Sequence, residues 1–166
     1  MHGLLNAAAK WFDRLNDILA AIACVLLVLV TIAICIEIVS RAAFNISNPW
    51  LVELSEITLL YMTFLAAAWV LGRNKHVSID LLFEHISVDV ANRIHVVLSL
   101  IAAIGCFIVT WCGVLTVVDQ YVNDIREPTI MAPQTFWITA IVPFGFLLLG
   151  LQFLRRSVRA ALGLPL

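Results

Sequence analysis

Two pairs of charged side chains have a spacing that could support a chemical role. Glu53 and Glu56 are three residues apart at the start of an apolar run, so both carboxylates point to one side of a helix. Glu37 and Arg41 are four residues apart with the acid first, the order that favours an ion pair along one helix. A bare carboxylate in so apolar a setting is costly. These pairs therefore indicate polar docking points for another helix, or side chains that extend to reach water.

The sequence lacks the motifs of enzymes, metal sites and nucleic-acid-binding proteins. It has no CxxC or HExxH pattern, no phosphate loop, no nucleophile elbow and no basic tract. The cysteines all lie inside apolar runs, where unpaired thiols are expected; they are Cys24, Cys35, Cys106 and Cys112. We therefore expect no catalytic residues, no cofactor, no metal ion and no nucleic-acid partner.

The composition is that of an integral membrane protein. Of the 166 residues, 63% are hydrophobic and 13% are charged, and the mean hydropathy is +1.03. About a quarter of the residues in a soluble domain are charged. A soluble chain of this length could not bury so many apolar side chains in one core. The sequence predicts an all-α integral membrane protein that forms a single domain in the lipid bilayer.

Four apolar runs are long enough to cross a membrane as helices. The predicted crossings cover about residues 17–44, 50–72, 92–119 and 131–155. Residues 1–16 form either a helical lead-in to the first crossing or an amphipathic helix at the interface. Residues 78–90 are too short and too charged to cross, so they predict a helix along the membrane surface. Gly105 and Gly113 in the third crossing would let a neighbouring helix approach closely.

The basic residues predict the orientation of the chain. Four crossings place both termini on one side, and eight of the ten Lys and Arg residues then share that side. The other side has Arg41 and Arg126. Basic residues concentrate in cytoplasmic segments, so both termini are expected to be cytoplasmic.

The segment from residue 50 to residue 80 organises these elements. Trp50 suits a membrane interface, and Arg73 suits the cytoplasmic end of the same crossing. His76 and Asp80 follow at helical spacing, where a helix cap or a contact with lipid headgroups would explain them. We take these four residues as candidate interfacial or partner-binding positions, together with Glu37, Arg41, Glu53 and Glu56.

The link between the first two crossings is short, so these helices should be antiparallel neighbours. This geometry would bring Arg41 within reach of Glu53 or Glu56 as well as Glu37, since a guanidinium group carries five donors. The alternative is that all four side chains reach water.

The acids lie near segment ends, and the centres of the crossings are apolar. Coupled carriers usually have acids near the bilayer midplane, broken helices or internal repeats. None of these features is visible in the sequence. It therefore predicts an accessory subunit whose apolar surfaces dock on a larger membrane partner and on lipids.

A pattern of residues around the second and fourth crossings adds a family resemblance. It comprises Trp50 with Glu53 and Glu56, the Phe-Leu-Ala-Ala-Ala stretch at 64–68, Arg73 followed by His76 and Asp80, and then Pro133, Trp137, Pro143 and Gly145. With this pattern, and in its length and helix number, the chain resembles the DctQ-type small membrane subunit of tripartite ATP-independent periplasmic (TRAP) transporters.

The resemblance implies a bacterial inner-membrane uptake system driven by a sodium gradient. In such a system a periplasmic binding protein delivers an organic acid, such as a C4-dicarboxylate or sialic acid, to a pair of membrane subunits. The large subunit moves the substrate, and the small subunit forms a heterodimer with it and braces its static scaffold.

Two other functions remain open at this point. A self-sufficient four-helix multidrug carrier would need an acid in mid-helix, whereas Glu37 follows a long uncharged run. A redox-anchor subunit would need facing histidines as haem ligands, and His95 alone lies within a predicted crossing.

Overall fold

A computed structural model describes residues 2–72, 88–129 and 131–161 of the chain. Its helices are α1 (His2–Phe44), α2 (Pro49–Gly72), α3 (Val88–Val122) and α4 (Thr135–Ala161). All four are long and apolar enough to cross a membrane, over Trp11–Phe44, Pro49–Gly72, Val96–Val122 and Thr135–Val158. The expectation of an all-α fold with four helices able to cross a membrane is confirmed over the described residues.

Local sequence explains where α1 ends and α2 begins. The 43 residues of α1 form one continuous helix of roughly 64 Å, about twice the thickness of the hydrocarbon core. It ends at Phe44 because Asn45 takes a left-handed conformation with a φ of 56°, which asparagine tolerates at a helix end. Pro49 then opens α2, where the missing N–H costs no helical hydrogen bond.

The surface helix expected over residues 78–90 falls mostly outside the described residues. Residues 78–87 lie outside the described residues, and Val88 is the first residue of α3. Two of the backbone hydrogen bonds in the loop between α3 and α4 join its two strands of chain. The Glu127 N–H donates to the Pro133 carbonyl at 3.1 Å, and the Thr135 N–H donates to the Ile125 carbonyl at 3.0 Å.

The helices lie in the order α1, α2, α4, α3, as an open row. In the described part of the chain, extensive contacts join α1 to α2, α2 to α4 and α4 to α3. In its most apolar stretch, 33% of α4 is buried, against 11% for α1 and α3. The two outer helices therefore expose broad apolar flanks, and α4 is the most enclosed helix.

Glycine and proline let α4 approach both of its neighbours. On the α2 side, a Cβ added at Gly145 would lie only 2.6 Å from Cδ1 of Phe64. On the α3 side, a Cβ added at Gly113 would lie 3.1 Å from Cβ of Pro143. The expected close approach at Gly113 is confirmed. Gly105 instead faces open space, with no neighbouring heavy atom within 4 Å of an added Cβ, so that half of the expectation is wrong.

We predict that Gly145→Ala destabilises the protein and that Gly105→Ala does not. Both changes add one methyl group to a helix, and each gains up to about 1 kcal/mol of helix propensity. At Gly145 the Phe64 ring must move, and overpacking of this kind costs roughly 1–3 kcal/mol. Unfolding midpoints of the two variants in the same detergent measure the difference. Equal midpoints would show that the contact between α2 and α4 is not tight.

Candidate functional site

Polar side chains gather in two places, one near each end of α1 along its length. We call Glu37, Arg41, Ser47 and Asn48 the link cluster, because they surround the short connection between α1 and α2. We call Asp13, Asp17, Trp69 and Arg155 the terminal cluster, because it joins the first helix to the last one.

Glu37 is the centre of the link cluster. Its Oε1 accepts from the Arg41 guanidinium at 2.7 Å and from the Ser47 hydroxyl at 3.4 Å. Its Oε2 accepts from the Asn48 backbone N–H at 3.0 Å. The residue is only 5% exposed. A buried carboxylate is stable when it is paired and hydrogen-bonded, and here those bonds also fix the link and the entry into α2.

The ion pair expected between Glu37 and Arg41 is confirmed, but the wider role expected for Arg41 is wrong. In the described part of the chain Arg41 contacts Glu37 and Ser47, and neither Glu53 nor Glu56 lies within ion-pair distance of it. Glu37 does not simply reach water either, because it is buried. Glu37, and not Arg41, joins the groups around the link.

The other predicted site residues divide into three groups. Glu53 accepts a hydrogen bond from the Met131 backbone N–H at 3.2 Å, which ties the start of α2 to the loop before α4. Trp50 and Glu56 are exposed on the first two turns of α2. Arg73, His76 and Asp80 lie outside the described residues.

The terminal cluster was not predicted from the sequence. Arg155 forms a two-point ion pair with Asp13, in which Nη2 lies 2.9 Å from Oδ2 and Nη1 contacts Oδ1. The indole N–H of Trp69 donates to Oδ1 of Asp17 at 2.8 Å. These partners are 142 and 52 residues apart, so local spacing carries no sign of them. Co-variation among relatives is the signal that would reveal such pairs.

The terminal cluster also fixes the overall path of the chain. Asp13 lies near the start of α1, and Arg155 lies near the end of α4. Their ion pair therefore places the start of α1 and the end of α4 on the same side of the helix layer. The link cluster lies at the opposite end of α1, seven helical turns away on the scale of about 3.6 residues per turn.

The described residues offer no arrangement for catalysis by a metal ion. Among them, no group of three His, Cys, Asp or Glu side chains is placed to hold a metal. The four cysteines are free thiols. The chemistry available to the two clusters is ion pairing and hydrogen bonding, which hold helices in place.

Comparison with known proteins finds membrane transport components. The family described as "Tripartite ATP-independent periplasmic transporters, DctQ component" matches residues 30–163. The chain is also 24% identical over 157 residues to the ectoine TRAP transporter small permease protein TeaB of Halomonas elongata. That alignment covers 95% of this chain and 79% of the relative. The family match begins within α1 and includes the whole link cluster.

We predict that Glu37→Gln lowers the thermal midpoint of the protein and that Glu56→Gln leaves it nearly unchanged. The first change removes a buried charge partner of Arg41 and one of the acceptors around the link. The second makes the same chemical change at an exposed carboxylate of the next helix, which has no hydrogen-bond or ion-pair partner among the described residues. Thermal unfolding in one detergent compares them. Midpoints that fall equally would contradict the central role of Glu37.

Proposed function

The chain belongs to the DctQ component family of TRAP transporters, and from this premise we propose that it braces the large membrane subunit during uptake of a small organic acid. It is a multi-pass membrane protein and a small subunit of such a transporter. The remaining parts of the proposal are the sodium gradient, the bacterial inner membrane, and the partnership with one large subunit and one periplasmic binding protein.

The open row of helices is the observation that supports a bracing role. An interior path for a charged substrate needs helices that surround it, whereas α1 and α3 each have extensive contact with one neighbour in the described part of the chain. Their outer faces are aliphatic and aromatic, with Ile36 57% exposed and Ile101 60% exposed. Such faces suit lipid or a partner helix.

Several threonine hydroxyls within the helices also argue against a polar path through this subunit. Five threonine hydroxyls bond back to carbonyls four positions earlier on their own helices, so these five do not offer their hydrogens to a substrate. These bonds run from Thr31 to Leu27, Thr58 to Leu54, Thr63 to Leu59, Thr110 to Cys106 and Thr116 to Cys112.

We predict that the large subunit and the binding protein are both needed for transport. The purified chain in liposomes, under a sodium gradient, should take up no organic acid. Liposomes that also contain the large subunit, with the binding protein outside, should accumulate the cognate substrate. C4-dicarboxylates, sialic acid and ectoine, the substrate in the name of the Halomonas relative, form the panel of labelled compounds.

The same preparations distinguish the two rival functions. Gradient-driven efflux or uptake of cationic drugs by this chain alone would favour the multidrug carrier and contradict the bracing role. A haem absorbance band in the purified chain would favour the redox anchor. Transport by the large subunit and binding protein at full rate without this chain would show that bracing is not required.

The proposed orientation places the terminal cluster in the cytoplasm and the link cluster in the periplasm. It is supported by eight basic residues on one side against two on the other and by the ion pair that brings both ends of the chain together.

We predict that a reporter fused after Leu166 is active only if it functions in the cytoplasm. A reporter inserted after Pro128, in the loop between α3 and α4, should be active only if it functions in the periplasm. Paired alkaline phosphatase and fluorescent protein fusions at both sites, matched for expression, measure this. The reverse pattern would overturn the orientation.

A further inference from the structure

Two buried amide side chains beside the terminal cluster have atoms without a hydrogen-bond partner. Asn16 is 3% exposed and Gln152 is 7% exposed. In the described part of the chain, neither the oxygen nor the nitrogen of the Asn16 amide has a partner, and the oxygen of the Gln152 amide has none either. Buried polar groups nearly always form hydrogen bonds, either to protein or to ordered water. These two amides therefore point to a ligand.

The ion pair of the terminal cluster places the two amides at the same level of the helix layer. The start of α1 meets the end of α4 at the pair of Asp13 with Arg155, so the two helices run in opposite directions. Asn16 lies three residues after Asp13, and Gln152 lies three residues before Arg155. Each step is roughly 4.5 Å of helix, at 1.5 Å per residue. Both steps lead the same way, toward the middle of the membrane.

The end of α2 meets the same two amides. A Cβ added at Gly72, the last residue of α2, would overlap the amide nitrogen of Gln152, so Gln152 lies directly against that residue. Trp69, one turn earlier on α2, donates to Asp17 of α1, which follows Asn16 in the chain. Three helices therefore come together around Asn16 and Gln152.

The unpaired atoms are matched by a small neutral ligand that both donates and accepts hydrogen bonds. The amide oxygens accept and the amide nitrogen of Asn16 donates. The amides carry no charge, and the ion pair one turn away, Asp13 with Arg155, is already compensated, which favours a neutral ligand over an ion. Water has this chemistry, and it fits either orientation of the Asn16 amide. It also has access, because the Asp13 side chain is 52% exposed.

We propose that ordered water links Asn16 to Gln152 beside the end of α2. Water donates to Oδ1 of Asn16 and Oε1 of Gln152, and it accepts from Nδ2 of Asn16. A direct bond between the two amides does not replace it, since neither amide oxygen has a partner in the described part of the chain. Buried water typically makes about three hydrogen bonds to groups that are otherwise unpaired. The hydrated site joins α1, α2 and α4 and is independent of the proposed bracing role.

NMR of the full chain in detergent, with isotope-labelled side-chain amides, tests the proposal. The wild type should show cross peaks from bound water to the amide protons of Asn16 and Gln152. Gly72→Ala displaces the Gln152 amide without altering either amide, and it should weaken the water cross peak of Asn16. Gly105→Ala adds the same methyl group in open space and should leave both cross peaks unchanged. Absence of both cross peaks in the wild type would overturn the proposal.

A double-mutant cycle measures whether the two amides share one site. Asn16→Leu and Gln152→Leu should each lower the thermal midpoint by roughly 2–4 °C. The double variant should lose no more than either single variant, because replacing both partners by apolar groups leaves no buried amide unpaired. Asn16→Leu combined with Thr116→Leu, at an exposed position of α3, should give additive losses.

The remaining outcomes of the two experiments also decide the proposal. Additive losses from Asn16→Leu and Gln152→Leu would overturn it, because the amides would then be hydrated separately. Coupled losses without a water cross peak would overturn it in favour of a direct hydrogen bond between the amides. If the leucine variants fail to fold, the Gly72→Ala spectrum carries the test. An unchanged water cross peak at Asn16 in that variant would overturn the link to Gln152.

Discussion

The arrangement of this protein depends on how closely α4 approaches the helices on its two sides. Lipid tails are as apolar as leucine, so the hydrophobic effect gives little reason for one membrane helix to prefer another. Close packing has to supply that preference. Gly145 admits Phe64 from α2, while Gly113 of α3 admits Pro143. The Phe64 ring also packs against Phe146 at a centroid distance of 5.6 Å. One helix thereby holds two neighbours, and its central place in the row follows.

The polar clusters at the two ends determine how the outer helix α1 is attached. The buried apolar residues of α1 include Ala20 and Ala23, whose small side chains allow close approach but specify register weakly. The link cluster fixes one end because Glu37 binds the backbone of the turn itself. The terminal cluster fixes the other end through Arg155, whose two-point contact with Asp13 restricts both distance and direction. Polar contacts at both ends of α1 thus fix its position along the neighbouring helices, which apolar packing alone would leave undetermined.

The sequence predicts those features of the fold that depend on neighbours along the chain. Helix number follows from run length, and the ion pair between Glu37 and Arg41 follows from a spacing of four residues. The two glycines of α3 show the limit of this approach. Gly113 packs against Pro143, whereas Gly105 on the same helix faces open space. Which glycine is packed depends on the rotation of α3 against α4. Likewise, a short link predicts that α1 and α2 are neighbours, but not that the Asn48 N–H turns toward Glu37 and leaves Arg41 out of reach of Glu56. Contacts across 142 residues, such as that of Asp13 with Arg155, have no local signal at all.

A row of helices has a further consequence for the relation between this chain and the transported compound. A substrate is recognised by polar groups that converge on it from several sides. Over the residues that the structure describes, a row with two open flanks leaves no enclosed volume in which they could converge. If the large subunit supplies that volume, natural selection on the sequence of this chain concerns packing, charge at the membrane surface and lipid contact. The chemistry of the substrate would then place no constraint on it. A small permease protein named for ectoine and this chain can then share a scaffold while their transporters carry different compounds. Under the proposed function, the choice of compound is therefore expected to depend on the large subunit and the binding protein.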